Sequence, residues 1–199
     1  MAIALAAWAC EPENIVFPQT GSVVTLVDSG PALGSARTFA LPDTVMQLSD
    51  AGGTIGHAAD AEILASIRGH LMVFGWRDAT RSEFQSPPDV LVLVAAATRI
   101  ETTAAYGDWY GSWGYLPYWG ASVDASWGWG TPAGAIPYSF PAGTLLVTML
   151  DLRAQREDTK RIPLLWAAAI DGALSSNTAQ RALVGIDQAF AQSAYLRLP

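Results

Sequence analysis

The stretch PPDVLVLVAAATRIETT, residues 87–103, is the clearest β-strand signal in the chain. Asp89 follows two prolines, and residues 90–94 are apolar at every position, which is typical of a central strand covered on both faces. From Ala97 onward, apolar and polar residues alternate, so this end of the strand is expected to be half exposed. The other elements of the domain are therefore expected to be arranged around this strand.

Four further strands are predicted on either side of the central one. Upstream, SVVTLVDS (residues 22–29) alternates Val23, Thr25 and Val27 on one face with Val24 and Leu26 on the other. SARTFALPD (residues 35–43) is a second short strand that ends at Pro42. Downstream, AGTLLVTMLDL (residues 142–152) and IPLLWAAAIDG (residues 162–172) are apolar runs of strand length.

Two segments show the period of an amphipathic helix. The first helix is predicted over residues 58–74, with Gly75 as its C-cap, and the second helix over residues 175–192. The apolar faces consist of Ile63, Ile67, His70, Leu71 and Phe74 in the first helix, and of Ala179, Leu183, Ile186 and Phe190 in the second. The sequence predicts an α+β domain in the order β-β-α-β-β-β-α, a mostly antiparallel sheet of about five strands with two helices packed on one face.

Composition limits the kind of partner. The 199 residues are 51% apolar and 15% charged, which indicates one folded domain and argues against disorder. The net charge is −7, and the densest basic group, residues 153–161, is interleaved with acids, so nucleic acid is not an expected partner. No stretch reaches 18 apolar residues, so no transmembrane helix is predicted.

The first ten residues, MAIALAAWAC, resemble a short bacterial lipobox that ends at Cys10, the only cysteine. Small residues stand three before and one before Cys10, but the segment lacks a positively charged start and is shorter than a usual signal. We interpret residues 1–10 as a truncated signal segment, residues 11–21 as a tether and residues 22–196 as one domain. Lipidation of Cys10 is the expected membrane attachment, and an incidental cysteine in a disordered tail is the alternative.

The segment YGDWYGSWGYLPYWGASVDASWGWG, residues 106–130, dominates the predicted insert at residues 106–141. It contains no Lys or Arg, and its aromatic residues are Tyr106, Trp109, Tyr110, Trp113, Tyr115, Tyr118, Trp119, Trp127 and Trp129. Three interpretations stay open: the rings pack on the sheet, they contact an envelope protein or membrane surface, or they stack on glycans. These nine residues are the candidate binding residues.

Few residues suggest catalysis. His57 and His70 are the only histidines, and no Cys or paired carboxylate stands at metal-ligand spacing beside them, so we expect no metal or other cofactor. His70 is expected to be a satisfied core residue and His57 a loop or helix-entry residue. Asp89 and Asp151 would meet at one sheet end if their strands pair antiparallel, as an acid and base or, more commonly, as ordinary strand-end residues.

The ordered set of segments resembles one bacterial lipoprotein family, domain of unknown function 4136. The resemblance covers residues 22–196 and rests on ARTFALPDTV, DAEILASIRGHLMVFGW, PPDVLVLVAAAT, GTLLVTMLDLR, IPLLWAAAIDG and IDQAFAQSAYL. It implies an envelope protein with a lipobox, and it carries no established catalytic residues.

Together these observations predict a non-catalytic binding or structural module facing the periplasm, lipid-anchored through Cys10 to the outer membrane. The alternative is a glycan- or peptidoglycan-binding module that uses the Trp and Tyr residues of the insert.

Overall fold

The computed structural model describes residues 22–27, 34–48, 57–80, 88–97, 101–102, 139–140, 143–154, 164–174 and 178–199. The two α-helices of these residues are α1 (Asp60–Val73) and α2 (Thr178–Gln192). In chain order, the strands are β1 (Val23–Val27), β2 (Thr38–Ala40), β3 (Met46–Leu48), β4 (Arg77–Asp78), β5 (Val90–Ala97), β6 (Glu101–Thr102), β7 (Ser139–Phe140), β8 (Thr144–Asp151) and β9 (Leu164–Ile170).

Seven of the described strands form one mixed sheet. Its order is β1-β9-β8-β5-β2-β4, with β3 also paired to β5. The pairs β1–β9, β9–β8 and β8–β5 are antiparallel, whereas β5–β2, β5–β3 and β2–β4 are parallel. β6 and β7 form a separate antiparallel ladder. As predicted, β5 is central, and all eight of its residues are buried.

The mixed α+β class and the two helices are confirmed, but the expected sheet of about five mostly antiparallel strands is wrong. The missed strands β3 and β4 are three and two residues long, too short to display a period of two. β2 and β3 lie end to end along β5, and the break between them contains Pro42, which has no N–H to donate to a ladder. α1 connects this edge to β4 and β5, and such a helical crossover joins parallel strands.

Both helices pack on the same face of the sheet. Phe190 of α2 contacts both the end of α1 and the sheet. Its ring centroid lies 5.7 Å from that of Phe74, which follows α1, and 5.5 Å from that of Trp166 in β9. The strands contribute alternate residues to this core, namely Val90, Val92, Val94, Ala96, Leu145, Val147, Met149, Trp166, Ala168 and Ile170. Neither helix described here has the length and hydropathy needed to cross a membrane.

The end of α1 is set by Gly75, as the sequence predicts. Gly75 has φ of 93°, a left-handed conformation that costs glycine little. Its N–H donates to the carbonyl oxygen of Met72 at 3.0 Å, and the N–H of Trp76 donates to that of Leu71 at 3.0 Å. This pair of bonds is the Schellman motif, and it turns the chain directly into β4.

Candidate functional site

The residues with the strongest predicted functional signals are not among those that the structure describes. Cys10 and all nine Trp and Tyr residues of residues 106–130 lie outside the described ranges. The structure does describe the points where these segments join the domain. These points are the start of β1, which follows the tether, and the end of β5 and the start of β8, which lead to the two stems of the insert.

All three junctions lie at one end of the sheet. Val23 pairs with Ile170, Ile170 with Leu145, and Leu145 with Ala96, so these four residues form one row across four strands. The tether precedes Val23, one stem of the insert follows Ala96, and the other stem precedes Leu145. We call this end of the sheet the tether end.

The last row of the tether end brings polar groups together. The N–H of Asp171 donates to the carbonyl oxygen of Ser22 at 3.0 Å. Thr144 pairs with Ala97, and the N–H of Gly143 donates to the carbonyl oxygen of Ala97 at 2.7 Å. The backbone therefore holds the residue before β1, the residue after β9 and both stems of the insert next to one another.

Asp171 is the unusual side chain of this end. The residue is 8% exposed, and its Oδ2 atom has no hydrogen-bond partner among the residues that the structure describes. A buried acceptor without a donor costs about 1–3 kcal/mol, so a ligand or chain segment that supplied an N–H or O–H would recover this free energy. Sequence reasoning missed Asp171, because Asp-Gly after an apolar strand is an ordinary turn signal.

Asp89 and Asp151 lie at the opposite end of the sheet, which we call the clasp end. The predicted antiparallel pairing is confirmed, because Val90 pairs with Asp151. The N–H of Leu152 also donates to the carbonyl oxygen of Asp89 at 3.0 Å. The two aspartates are therefore neighbours across the strand pair, as their positions in the sequence indicated.

The Asp89 carboxylate serves as a clasp between two strands. Its Oδ2 atom accepts hydrogen bonds from the backbone N–H groups of Arg37 at 2.7 Å and of Thr38 at 3.0 Å, and these residues lead into β2. Burial by itself would raise the pKa of Asp89. The backbone donors, the Thr38 side chain and the Arg153 charge outweigh that effect and lower the pKa below its ordinary value.

The Asp151 carboxylate is held by an arginine two residues later. Arg153 donates through Nε to Oδ1 at 3.0 Å and through Nη2 to Oδ2 at 3.1 Å, a bidentate contact. Its backbone N–H also donates to Oδ1 at 2.9 Å, and its Nη1 donates to Ser35 Oγ at 2.9 Å. The Asp151 side chain is 2% exposed, so this carboxylate depends on Arg153 for its charge balance.

These bonds favour a structural role for the aspartate pair. A general acid at neutral pH needs a carboxyl group whose pKa is raised, and the pKa of Asp89 is lowered. Both oxygens of Asp151 already accept from Arg153. Sequence reasoning missed Arg153 as the partner, because residues 153–161 have the composition of a charged connection.

We expect Asp89→Asn to destabilise the protein by about 1 kcal/mol at pH 7, because a neutral amide oxygen is a weaker acceptor than a carboxylate. The pKa of Asp89 is lowered in the folded state, so its charge stabilises the fold above its unfolded pKa of about 3.9. That contribution is lost as the pH falls through the folded pKa. The difference between wild type and variant, measured by urea unfolding, should therefore be largest near neutral pH and shrink below about pH 4.

Asp43→Asn, at an exposed carboxylate between β2 and β3, is the matched control and should show little difference at any pH. A difference for Asp89→Asn that stayed constant down to pH 3 would show that the charge of Asp89 has no part in the clasp.

The two histidines each contact one aspartate. His57 Nδ1 lies 2.6 Å from Asp60 Oδ2 at the entry to α1, as expected of a helix-entry residue. His70 Nε2 lies 2.7 Å from Asp187 Oδ1 of α2, and its ring stacks on Phe190 at 4.7 Å. His70 is therefore satisfied, although its side chain is half-buried and not fully in the core. Across the described ranges, no three His, Cys, Asp or Glu side chains are grouped so that they would hold a metal ion.

The comparisons with known proteins agree with this fold. The sequence profile of the family described as Domain of unknown function (DUF4136) matches residues 23–193. The crystal structure of a DUF4136 family protein from Bacteroides thetaiotaomicron VPI-5482 is similar, with a TM-score of 0.62, 23% identity, and coverage of 90% of this chain and 98% of that chain. At this identity the likeness shows the fold alone.

Two structures of PelC dodecamers from Paraburkholderia phytofirmans, one of them a variant, are more distant. They have 12% identity, TM-scores of 0.41 and 0.42, and coverage of 90% of this chain and 98% and 99% of theirs. A comparison with curated protein sequences gives no significant match. The profile match spans most of the chain, and the protein therefore belongs to the DUF4136 family, whose function is unknown.

Proposed function

We propose that this protein is a non-catalytic binding or structural module of the bacterial cell envelope, held at the outer membrane by lipid on Cys10 and facing the periplasm. The observation that carries this proposal is the shared location of the tether and of both stems of the aromatic insert at the tether end. An anchor placed on the tether brings this end, and the insert that leaves from it, to the membrane side of the domain.

The reach of the tether supports this arrangement. Residues 11–21 extend to at most about 36–40 Å, which keeps the tether end within that distance of an acylated Cys10. Asp171, whose buried Oδ2 atom finds no partner within the described ranges, lies in the same row of backbone contacts. The tether end thus combines the membrane attachment, the stems of the aromatic segment and an acceptor for an incoming donor.

The clasp end supports the non-catalytic part of the proposal. Of the two carboxylates that sequence reasoning offered as an acid and base, Asp89 binds backbone N–H groups and Asp151 binds Arg153. This end of the sheet is stabilised by these bonds, and the same atoms would have to be released before they reacted with a substrate.

The first test is lipid labelling of the full-length gene product in cells, comparing wild type with Cys10→Ala. We expect label and membrane fractionation for wild type and the loss of both for Cys10→Ala, because only the cysteine thiol accepts the first acyl group. Ala9→Gly, which keeps a small residue before the cysteine, is the matched control and should retain the label. Equal membrane fractionation of wild type and Cys10→Ala, with label on neither, would overturn the anchor.

A further inference from the structure

The second face of the sheet, opposite to the helices, is as buried as the first. The buried residues on this face are the alternate ones of the central strands, namely Leu91, Leu93, Ala95, Ala97, Leu146, Leu150, Ala167 and Ala169, with exposures between 0% and 5%. The polar Thr148, in the middle of this face, is 0% exposed and donates to the carbonyl oxygen of Leu93 at 3.5 Å. A surface with this composition and burial is the inner side of a second core layer.

Neither α-helix supplies that layer. Both helices contribute their apolar residues to the cluster on the first face, which includes Ile67, Leu71, Ile186 and Phe190. The strands alternate strictly enough to separate the two faces: Ala96 belongs to the helix-side cluster, and the adjacent Ala95 does not. The cover of the second face must therefore come from elsewhere.

The shape of the second face indicates large, flat side chains as its cover. Ala95 pairs indirectly with Ala169 through Leu146, and Thr148 is flanked by Leu93 and Ala167, so small residues form a shallow floor between leucines. Small side chains on a sheet leave volume that its cover must fill at crystal-like density. Aromatic rings bury about 150–250 Å² each and suit such a floor.

We propose that the Trp/Tyr-rich segment, residues 106–130, covers the second face and makes the sheet the middle layer of the domain. Both stems of this segment start at the tether end of that face, beside Ala97 and Thr144. The 36 residues between β6 and β7 are enough to run along a strand of about 26 Å and return. This inference is independent of whether Cys10 is acylated.

Composition favours this segment over the connection between β8 and β9. Residues 106–130 hold nine Trp or Tyr, no Lys or Arg and two Asp. The connection at residues 155–163, by contrast, carries five charged side chains among nine residues, and burying it would cost their solvation. Glycan stacking by the insert requires rings that are free of the sheet, which would leave the second face accessible. Packing of the insert on the sheet predicts a second face that is inaccessible.

Thiol labelling in a Cys10→Ala background tests the proposal with a matched pair of neighbouring alanines. Ala95→Cys places a thiol on the second face, and Ala96→Cys places one under the helices, with 0% and 2% exposure respectively. Each is made in the full chain and in a variant in which a short Gly/Ser linker replaces residues 106–130. We expect both thiols to be protected in the full chain, and Ala95→Cys alone to react on the order of 100-fold faster in the linker variant.

Two results would overturn the proposal. One is rapid labelling of Ala95→Cys in the full chain as a dilute monomer, which would leave the face open and the rings free to stack on glycans or on a membrane. The other is continued protection of Ala95→Cys in the linker variant while Ala96→Cys is also protected, which would assign the cover to another part of the chain.

Rapid labelling of both thiols in the linker variant would mean that this variant does not fold. In that case, photo-crosslinking of the full chain tests the same proposal. A photo-crosslinking amino acid is introduced at Trp119 or Trp127 of the full chain. We expect crosslinks within one chain to peptides that contain residues 90–97 or 144–151. Crosslinks only to a second copy, to lipid or to other parts of the chain would contradict the proposal.

Discussion

Phe190→Ala is expected to lower the free energy of unfolding by about 3–5 kcal/mol, because the side chain is 2% exposed and its loss leaves a large cavity. From its place in α2, the ring contacts both α1 with the residue that follows it and the sheet. It stacks on His70 at 4.7 Å, meets Phe74 edge-on at 5.7 Å and lies 5.5 Å from Trp166. Urea unfolding followed by circular dichroism measures the change.

Val184→Ala on the same helix is the matched control, since Val184 is 55% exposed and its truncation should change stability by less than about 0.5 kcal/mol. Phe190→Leu, which refills part of the volume, should recover a share of the loss. If Phe190→Ala cost no more than Val184→Ala, then α2 would not be packed on the sheet as described.

The elements predicted well are those whose burial repeats along the sequence. β5, β8 and β9 are continuous apolar runs, and α1 and α2 place apolar residues three and four positions apart, so each shows its own period. Phe190 was placed on the apolar stripe of α2 for this reason. Its neighbours His70, Phe74 and Trp166 come from other elements, and no local pattern shows that they meet Phe190.

The parallel edge of the sheet was missed for a different reason. β3 and β4 are three and two residues long. β3 forms because β5 offers it a ladder, and β4 forms because β2 offers it one, not because of their own composition. Their direction follows from the crossover through α1, which is a property of the whole topology. The pattern within each segment therefore predicts neither the presence nor the direction of β3 and β4.

The candidate sites also divide into features that a local sequence pattern predicts and features that only the tertiary structure shows. The meeting of Asp89 and Asp151 was predictable, because antiparallel neighbours place the start of one strand beside the end of the other. Their hydrogen bonds were not predictable. Arg37 and Thr38, which bind Asp89, are 52 and 51 residues away in the sequence, and the Arg153 side chain turns back to Asp151. Asp171 is conspicuous only because no described residue donates to its Oδ2 atom, and that is visible only in three dimensions.

Arg153→Met is expected to destabilise the protein by about 2–4 kcal/mol, because it leaves the Asp151 carboxylate, 2% exposed, without its cation. The figure is below that for a fully buried pair, since the Arg153 side chain is itself 29% exposed and the backbone N–H of residue 153 still donates to Asp151. Arg153→Lys, which keeps the charge but not the bidentate geometry, should lose less. Arg181→Met, at an exposed position of α2, should stay within about 0.5 kcal/mol of wild type.

The double variant Asp151→Asn with Arg153→Met separates a structural ion pair from a poised catalytic carboxylate. If the aspartate is charged and dependent on its partner, the double variant should be more stable than Arg153→Met alone, because the unpaired charge is gone. Additive losses in urea unfolding would mean that the two side chains do not stabilise each other. In that case Asp151 would be available for chemistry, and the non-catalytic proposal would lose its support at the clasp end.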